Sequence, residues 1–266
     1  MVFISLIKAI YIKSLQYRLS HAMGIITQIF WGLMSVFVAV TFYRSGVSGN
    51  AGLTLGAIVT YLWLGRMFMQ MMNPYPTVGI SQMILSGQIA YKMLRPIGLY
   101  LFSFMEIVAE RLTKALFSLP FVALVALCLP AGYGLTLPHS LLYFFLFLLS
   151  TAISLILISV FEMCMEVGSF FSPSFHGISS AMSQLFFLLS GSMIPIAFFP
   201  PALQAILHIL PFSSVIDTPF MIYLEEAPLP DVILLLLRQC AWCAILIGLG
   251  VFLVQRSVKR IEISGG

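Results

Sequence analysis

The sequence predicts an all-α integral membrane protein with six transmembrane helices. Three observations carry that reading. Hydrophobic residues make up 61% of the 266 positions and charged residues only 8%, where a soluble domain carries roughly 25% charged residues. Mean hydropathy is +1.06, so lipid must solvate much of the chain. The apolar residues fall into long runs separated by Gly, Pro, Asn and charged clusters, the punctuation expected between spans.

Residues 2–20 read as an amphipathic helix lying in the membrane interface. Phe3, Ile4, Ile7, Ile10, Tyr11 and Leu15 share one broad face, and Ser5, Lys13, Gln16 and Ser20 the other. Lys8, Lys13 and Arg18 interrupt the apolar run, which argues against a cleaved signal peptide. Span 1 is expected over 22–43, before a loop from Arg44 to Gly52. Span 2 covers 53–72 and ends at Asn73-Pro74. A more polar segment, 77–97, carries Lys92 and Arg95.

Span 3 lies within 98–129, a stretch too long for the bilayer core. Its first half, with Glu106, Glu110, Arg111 and Lys114, is expected at or outside the membrane surface, and Glu110 and Lys114 have the spacing of a helical ion pair. Pro130, Gly132, Gly134 and Pro138 make the next turn. Span 4 covers 140–161, and a polar bend with Glu162, Glu166, Gly168, Pro173 and Gly177 follows. Span 5 covers 178–196 and span 6 covers 232–254, stopped by Arg256, Lys259 and Arg260. The whole chain, 1–266, reads as one membrane domain.

Charge orients these spans, because basic loops favour the cytoplasm. With the N-terminus inside, the inner segments hold Lys8, Lys13, Arg18, Lys92, Arg95, Arg111, Lys114, Arg256, Lys259 and Arg260. The outer segments hold Arg44 alone among basic residues, together with Asp217, Glu225, Glu226 and Asp231. Both termini are therefore expected in the cytoplasm. The basic residues form clusters and no stripe, which argues against nucleic acid as a partner.

The segment 190–224 resists reading as a helix. It is apolar enough for membrane depth, yet Pro195, Pro200, Pro201, Pro211 and Pro219 forbid a continuous helix. Its longest proline-free piece, 202–210, would reach only about 14 Å. Non-helical backbone at membrane depth survives where protein or a water-filled cavity surrounds it. The expectation is a re-entrant hairpin on the outer side, part helix and part turn, with Gly191 and the prolines forming a gate over an outward mouth. A loop lying flat on the headgroups is the alternative.

Two spans carry an arginine. A charge at the bilayer centre costs at least ~2.5–3.5 kcal/mol, so Arg66 in span 2 and Arg238 in span 6 are candidates for a pathway or subunit contact. Snorkelling to the headgroups is the competing reading for both. Met67, Met69, Met71 and Met72 crowd the inner end of span 2, as an adaptable apolar surface or as lipid-facing filler. Cys240 and Cys243 share a helix face, where apolar packing is the expected role. His21, His139, His176 and His208 lie on separate segments without metal-ligand spacing. No G-x-x-x-x-G-K-[ST] phosphate loop, H-E-x-x-H or G-x-S-x-G occurs.

The stretch ILSGQIAYKMLRPIG, residues 84–98, resembles the cytoplasmic segment of ABC-2 type transporter permeases, in particular the branch paired with daunorubicin-resistance-type ATPases. Gly87, Ile89, Leu94, Arg95 and Pro96 match the pattern of the helix that docks on the ATPase. The stretch 190–211 is similar to the family's outer segment between its fifth and sixth spans. The resemblance implies a non-enzymatic transport subunit in a bacterial inner membrane. Two permease chains, identical or homologous, would form the pathway, and two ABC ATPase subunits would supply ATP and Mg, with no cofactor in this chain. ATP-driven closure of the ATPases would open the pathway outward.

The residues fit a docking helix. Ile84, Leu85, Ile89 and Leu94 supply an apolar side, and Gln88, Lys92 and Arg95 a polar one. Tyr91 lies within the motif, and Pro96 sets the exit angle. An ion-coupled secondary transporter is the alternative, but it would place carboxylates or broken helices near the midplane. The central parts of the six spans hold no Asp or Glu. A membrane-embedded enzyme would need clustered polar groups at one face, and none is evident. The resemblance leans toward an amphipathic small molecule or lipid as cargo.

Overall fold

The computed structural model describes residues 2–45, 53–73, 75, 83, 98–168 and 175–258. All regular structure among them is helical. In chain order the helices are α1 (Val2–Gln16), α2 (Arg18–Arg44), α3 (Leu55–Phe68), α4 (Leu99–Cys128), α5 (Leu141–Gly168) and α6 (Phe175–Leu189). After a 3-10 turn at Ile196–Phe198 come α7 (Pro201–Ile209), α8 (Pro211–Val215), α9 (Asp217–Tyr223) and α10 (Leu229–Val258).

Four helices are long and apolar enough to cross a membrane: α2, α4, α5 and α10. At 27 to 30 residues each, they reach about 40–45 Å, beyond the ~30 Å hydrocarbon core. Two shorter apolar helices, α3 and α6, have 14 and 15 residues. Large apolar side chains such as Phe37, Leu124, Phe145 and Leu237 point outward from the long helices. That arrangement suits a chain whose outer solvent is lipid.

Neighbours in the bundle run both ways: α2 and α3 are antiparallel, with Gly24 beside Gln70 and Gly32 beside Trp63, whereas α5 and α10 are parallel, with Ser150 on Gln239 and Met163 near Leu253. α5 packs along α10, α2 along α3, and α4 against both α3 and α5. α3 is the core helix: Val59, Tyr61, Trp63 and Leu64 are almost fully buried. Close approach of α2 to α3 depends on Gly32, because a β-carbon there would lie 2.6 Å from the Trp63 ring. Residues 2–20 form two elements, not one, with the break at Tyr17. α1 packs against α4, where Tyr11 stacks on Phe117 at 5.1 Å, and His21 of α2 stacks on the same ring at 4.9 Å.

Several boundaries differ from the sequence reading. α5 does not stop at Phe161 but continues to Gly168, so Glu162 and Glu166 lie on a helix and are buried, not in a polar bend. α6 ends at Leu189, seven residues before the expected end of span 5, because the chain turns at Gly191 with φ +84, a conformation that favours glycine. The inner methionines are neither lipid filler nor an open surface: Met67, Met71 and Met72 sit in the core. The Glu110–Lys114 pair forms as its spacing implied, at 2.8 Å.

Candidate functional site

The proline-rich segment 190–224, expected from the sequence to lie on the outer side, folds into short pieces whose ends are set by the prolines. Pro195 accepts the Phe198 N–H at 3.0 Å to close the 3-10 turn. Pro200 precedes α7, Pro201 opens it and Pro211 opens α8, the first-turn position where proline's fixed φ fits and its missing N–H costs nothing. Gln204 ties this segment to itself, donating to the carbonyls of Ala197 (3.1 Å) and Phe199 (2.7 Å).

The segment is anchored to the bundle by buried polar contacts. The Tyr61 hydroxyl lies 3.0 Å from Asp217 Oδ1 and 3.1 Å from the Gly191 carbonyl, within donating distance of both. Gly191 leaves room for that hydroxyl, since a β-carbon there would stand 2.5 Å from it. Asp217 is 3% exposed. Burial pushes its carboxyl up to about 6, while the Tyr61 hydrogen bond and the nearby Arg238 pull the other way. Arg238, on α10, donates to the His208 carbonyl and, at 2.9 Å, to Thr218 Oγ1. Both ends of the outer segment are thus held from α3 and α10.

Deeper in the bundle, Gln239 of α10 ties together two other elements, α5 and α8. Its amide nitrogen donates to Ser154 Oγ (3.0 Å) and to the Ser214 carbonyl (2.6 Å), and its oxygen accepts from Ser150 Oγ (2.9 Å). Elsewhere on α3, Trp63 Nε1 donates to the Tyr133 carbonyl at 2.8 Å and Thr60 pairs with Thr136 at 2.7 Å. These contacts fix the 130–138 turn over α3.

An apolar groove of about 630 Å³ opens between α2, α3 and the start of the outer segment. Trp31, Phe42, Ile58, Leu62, Ile194 and Phe198 form most of its wall, and Ser35 contributes a hydroxyl. Arg66 of α3 donates to that Ser35 oxygen at 3.1 Å. The two arginines singled out from the sequence are therefore placed differently. Arg66 stands behind the groove, and Arg238 is engaged with the outer segment of its own chain.

A second polar centre had no clear signal in the sequence. Arg111 of α4 is 1% exposed and Glu162 of α5 is fully buried. The guanidinium donates to Glu162 Oε2 through Nε (3.1 Å) and Nη2 (2.5 Å), and Nη1 donates to the carbonyls of Met71 (2.7 Å) and Asn73 (2.6 Å). One side chain thus neutralises a carboxylate on α5 and satisfies the backbone just beyond α3. Arg111, read from the sequence as a surface charge, is a core residue because the ends of three elements converge on it.

Residues Gly87, Gln88, Ile89, Tyr91, Lys92, Leu94, Arg95 and Pro96 lie outside the described residues. Cys240 is exposed and Cys243 buried, and the Cys243 thiol lies 3.8 Å from the Ile153 carbonyl. Among the described residues no group of three or more His, Cys, Asp or Glu could hold a metal ion.

No curated protein matches this chain. The model of the family described as "ABC-2 family transporter protein" matches residues 29–265. That span runs from within α2 through the end of α10, so the chain belongs to the ABC-2 family of transporter proteins.

Proposed function

We propose that the chain is the permease subunit of an ATP-driven exporter, and that it forms its translocation pathway with a second permease chain. The family match over 29–265 carries this reading. The absence of a phosphate loop supports its second half: ATP and Mg are handled by two separate ABC ATPase subunits. The daunorubicin-resistance branch is our finer assignment, resting on the residues 84–98.

In this reading all six apolar helices cross a bacterial inner membrane, with α3 and α6 as the short ones and both termini in the cytoplasm. α1 lies along the inner interface against α4. The Ser190–Leu224 segment dips in from the outside as a re-entrant gate, and its Tyr61 and Arg238 anchors connect it to the spans. Residues 77–97 join α3 to α4 on the cytoplasmic side and dock on the ATPase. Gly87, Ile89, Leu94, Arg95 and Pro96 make that contact. The groove beside α3 belongs to the pathway face.

The test is co-expression with an ABC ATPase from the same organism, followed by purification of the complex and measurement of ATP hydrolysis in proteoliposomes. Alanine at Gly87, Arg95 or Pro96 is expected to weaken copurification or to uncouple hydrolysis. Unchanged assembly and coupling in all three variants would remove the docking assignment. Labelling of residues 84–98 from the outer face of sealed cells would reverse the orientation.

A further inference from the structure

Arg66, Arg111 and Arg238, each placed inside a helix of the bundle, differ in what holds them. Arg111 faces Glu162 and two carbonyls. Arg238 has a carbonyl and a hydroxyl, with Asp217 close enough to act on its charge. Arg66 has one hydrogen-bond partner among the described residues, the neutral oxygen of Ser35. That hydroxyl already donates to the Trp31 carbonyl at 2.7 Å, so it can only accept from Arg66. A cation inside an apolar helix costs at least ~2.5–3.5 kcal/mol and ordinarily finds an anion or water. Arg66 is partly exposed, so its remaining N–H groups can be reached.

Arg66 does not line the groove, but it follows Leu62 of the groove wall by one helical turn and is bonded to another wall residue. Ser35 is both its partner and part of the groove wall. The rest of that wall is almost entirely aliphatic and aromatic. The volume of about 630 Å³ falls in the ~300–1,000 Å³ range of small-molecule sites, which pair apolar walls with a few polar groups.

A second copy of the chain is a poor source of the missing anion. Among the described carboxylates, Glu162, Glu166 and Asp217 are buried, Glu106 has a partner of its own, Glu110 pairs with Lys114, and Glu225, Glu226 and Asp231 lie at or beyond the helix ends away from α3's middle.

We infer that the groove binds an amphipath with one apolar tail and one acidic head, the head on Arg66 and the tail along Trp31, Leu62 and Phe198. With the N-terminus inside, this sets the head deep and the tail toward the outer surface. That is the orientation of an inner-leaflet molecule drawn outward without turning over. As a statement about cargo, the inference rests on the exporter reading; as a statement about binding, it concerns this chain alone.

The chain carries its own reporter. Trp31 is half exposed in the groove and Trp63 is fully buried; Trp242, partly exposed on α10, is replaced by phenylalanine in every chain compared. The full chain is placed in phosphatidylcholine nanodiscs and titrated with a dibrominated stearyl sulfate or with the stearyl trimethylammonium of the same chain. Quenching of Trp31 should saturate at a roughly tenfold lower mole fraction for the sulfate, the preference one favourable charge contact gives. Trp31→Phe should abolish the signal. Arg66→Gln should erase the difference between the two heads, and Arg66→Lys should keep most of it, which guards against a merely misfolded variant. Ala39→Leu, which fills the groove, should weaken both.

Equal quenching by both heads, or unchanged selectivity in Arg66→Gln, overturns the inference and leaves an ordinary lipid-facing surface. So does efficient Val38→Cys cross-linking between two copies that abolishes quenching. A dibrominated phosphatidylglycerol, which carries two tails, should be much weaker than the sulfate; equal potency overturns the single-tailed occupant and leaves a resident-lipid site. If quenching is selective but no ATPase copurifies, the exporter reading fails and the site stands. If the ATPase copurifies and selectivity is absent, only the site fails.

Discussion

Arg111→Met is the substitution whose effect the structure specifies best. The native guanidinium makes two hydrogen bonds to the buried carboxylate of Glu162 and one to each carbonyl of Met71 and Asn73. Methionine fills similar space and withdraws the positive charge and all four donated hydrogen bonds. Breaking a buried pair by removing one partner costs about 3–5 kcal/mol, and a buried carbonyl left unsatisfied costs about 1–3 kcal/mol. These terms overlap as the site relaxes, so the expected loss is about 4 kcal/mol, set mainly by the stranded charge. The double variant Arg111→Met/Glu162→Met removes that charge and should recover about half or more of the loss, since apolar replacement of a buried pair is often near neutral. The assay is reversible unfolding in mixed micelles by titrated dodecyl sulfate, followed by far-ultraviolet circular dichroism. A single variant within about 1 kcal/mol of wild type would refute the reasoning, for surface pairs are worth that little. So would a double variant no more stable than Arg111→Met.

Three further outcomes follow from contacts at other sites. Gly32→Val should destabilise by about 1–3 kcal/mol through overpacking, because its β-carbon would sit 2.6 Å from the Trp63 ring; a neutral result in the same unfolding assay would mean that α2 shifts freely. Gly191→Ala combines a φ of +84 with a 2.5 Å approach to the Tyr61 hydroxyl. It should cost about 1–3 kcal/mol and make the outer segment more sensitive to protease added from outside. Asp217, in α9 outside the long helices, has its carboxyl pushed up to about 6, against about 3.9 in an unfolded chain. Between those values the folded chain keeps a proton the unfolded chain has lost, so its contribution to stability falls as pH rises from about 4 to about 6. Asp217→Asn should flatten that part of the profile, and an unaltered slope would assign it to another group.

Membrane character was legible because it depends on composition, and α2 and α10 were legible because each is dominated by one long apolar run; α4 is a single helix although its first half carries Glu106, Glu110, Arg111 and Lys114. The breaks within 190–224 were legible through its prolines: Pro201 and Pro211 start helices where the missing N–H costs nothing. Reading failed where polarity and position diverge. Glu162 and Glu166 looked like a bend because carboxylates are rarely buried, yet α5 carries them onward. Nothing near Glu162 in sequence announces Arg111, which is 51 residues away. Gly191 was flagged as part of a gate; its task of admitting the Tyr61 hydroxyl depends on a helix 130 residues earlier.

The chain's solvent, its helical character and the breaks imposed by proline are local properties, written in residue type and spacing, and the sequence alone determined them. Which charges are neutralised is a property of pairs far apart along the chain, so only the tertiary structure could decide it. It gave Arg111 a carboxylate, set Arg238 beside the outer segment, and left Arg66 with a hydroxyl behind an apolar groove. The difference is physical: a charge's cost in a low-dielectric interior is set by what stands within a few ångströms of it, and folding alone brings those neighbours there.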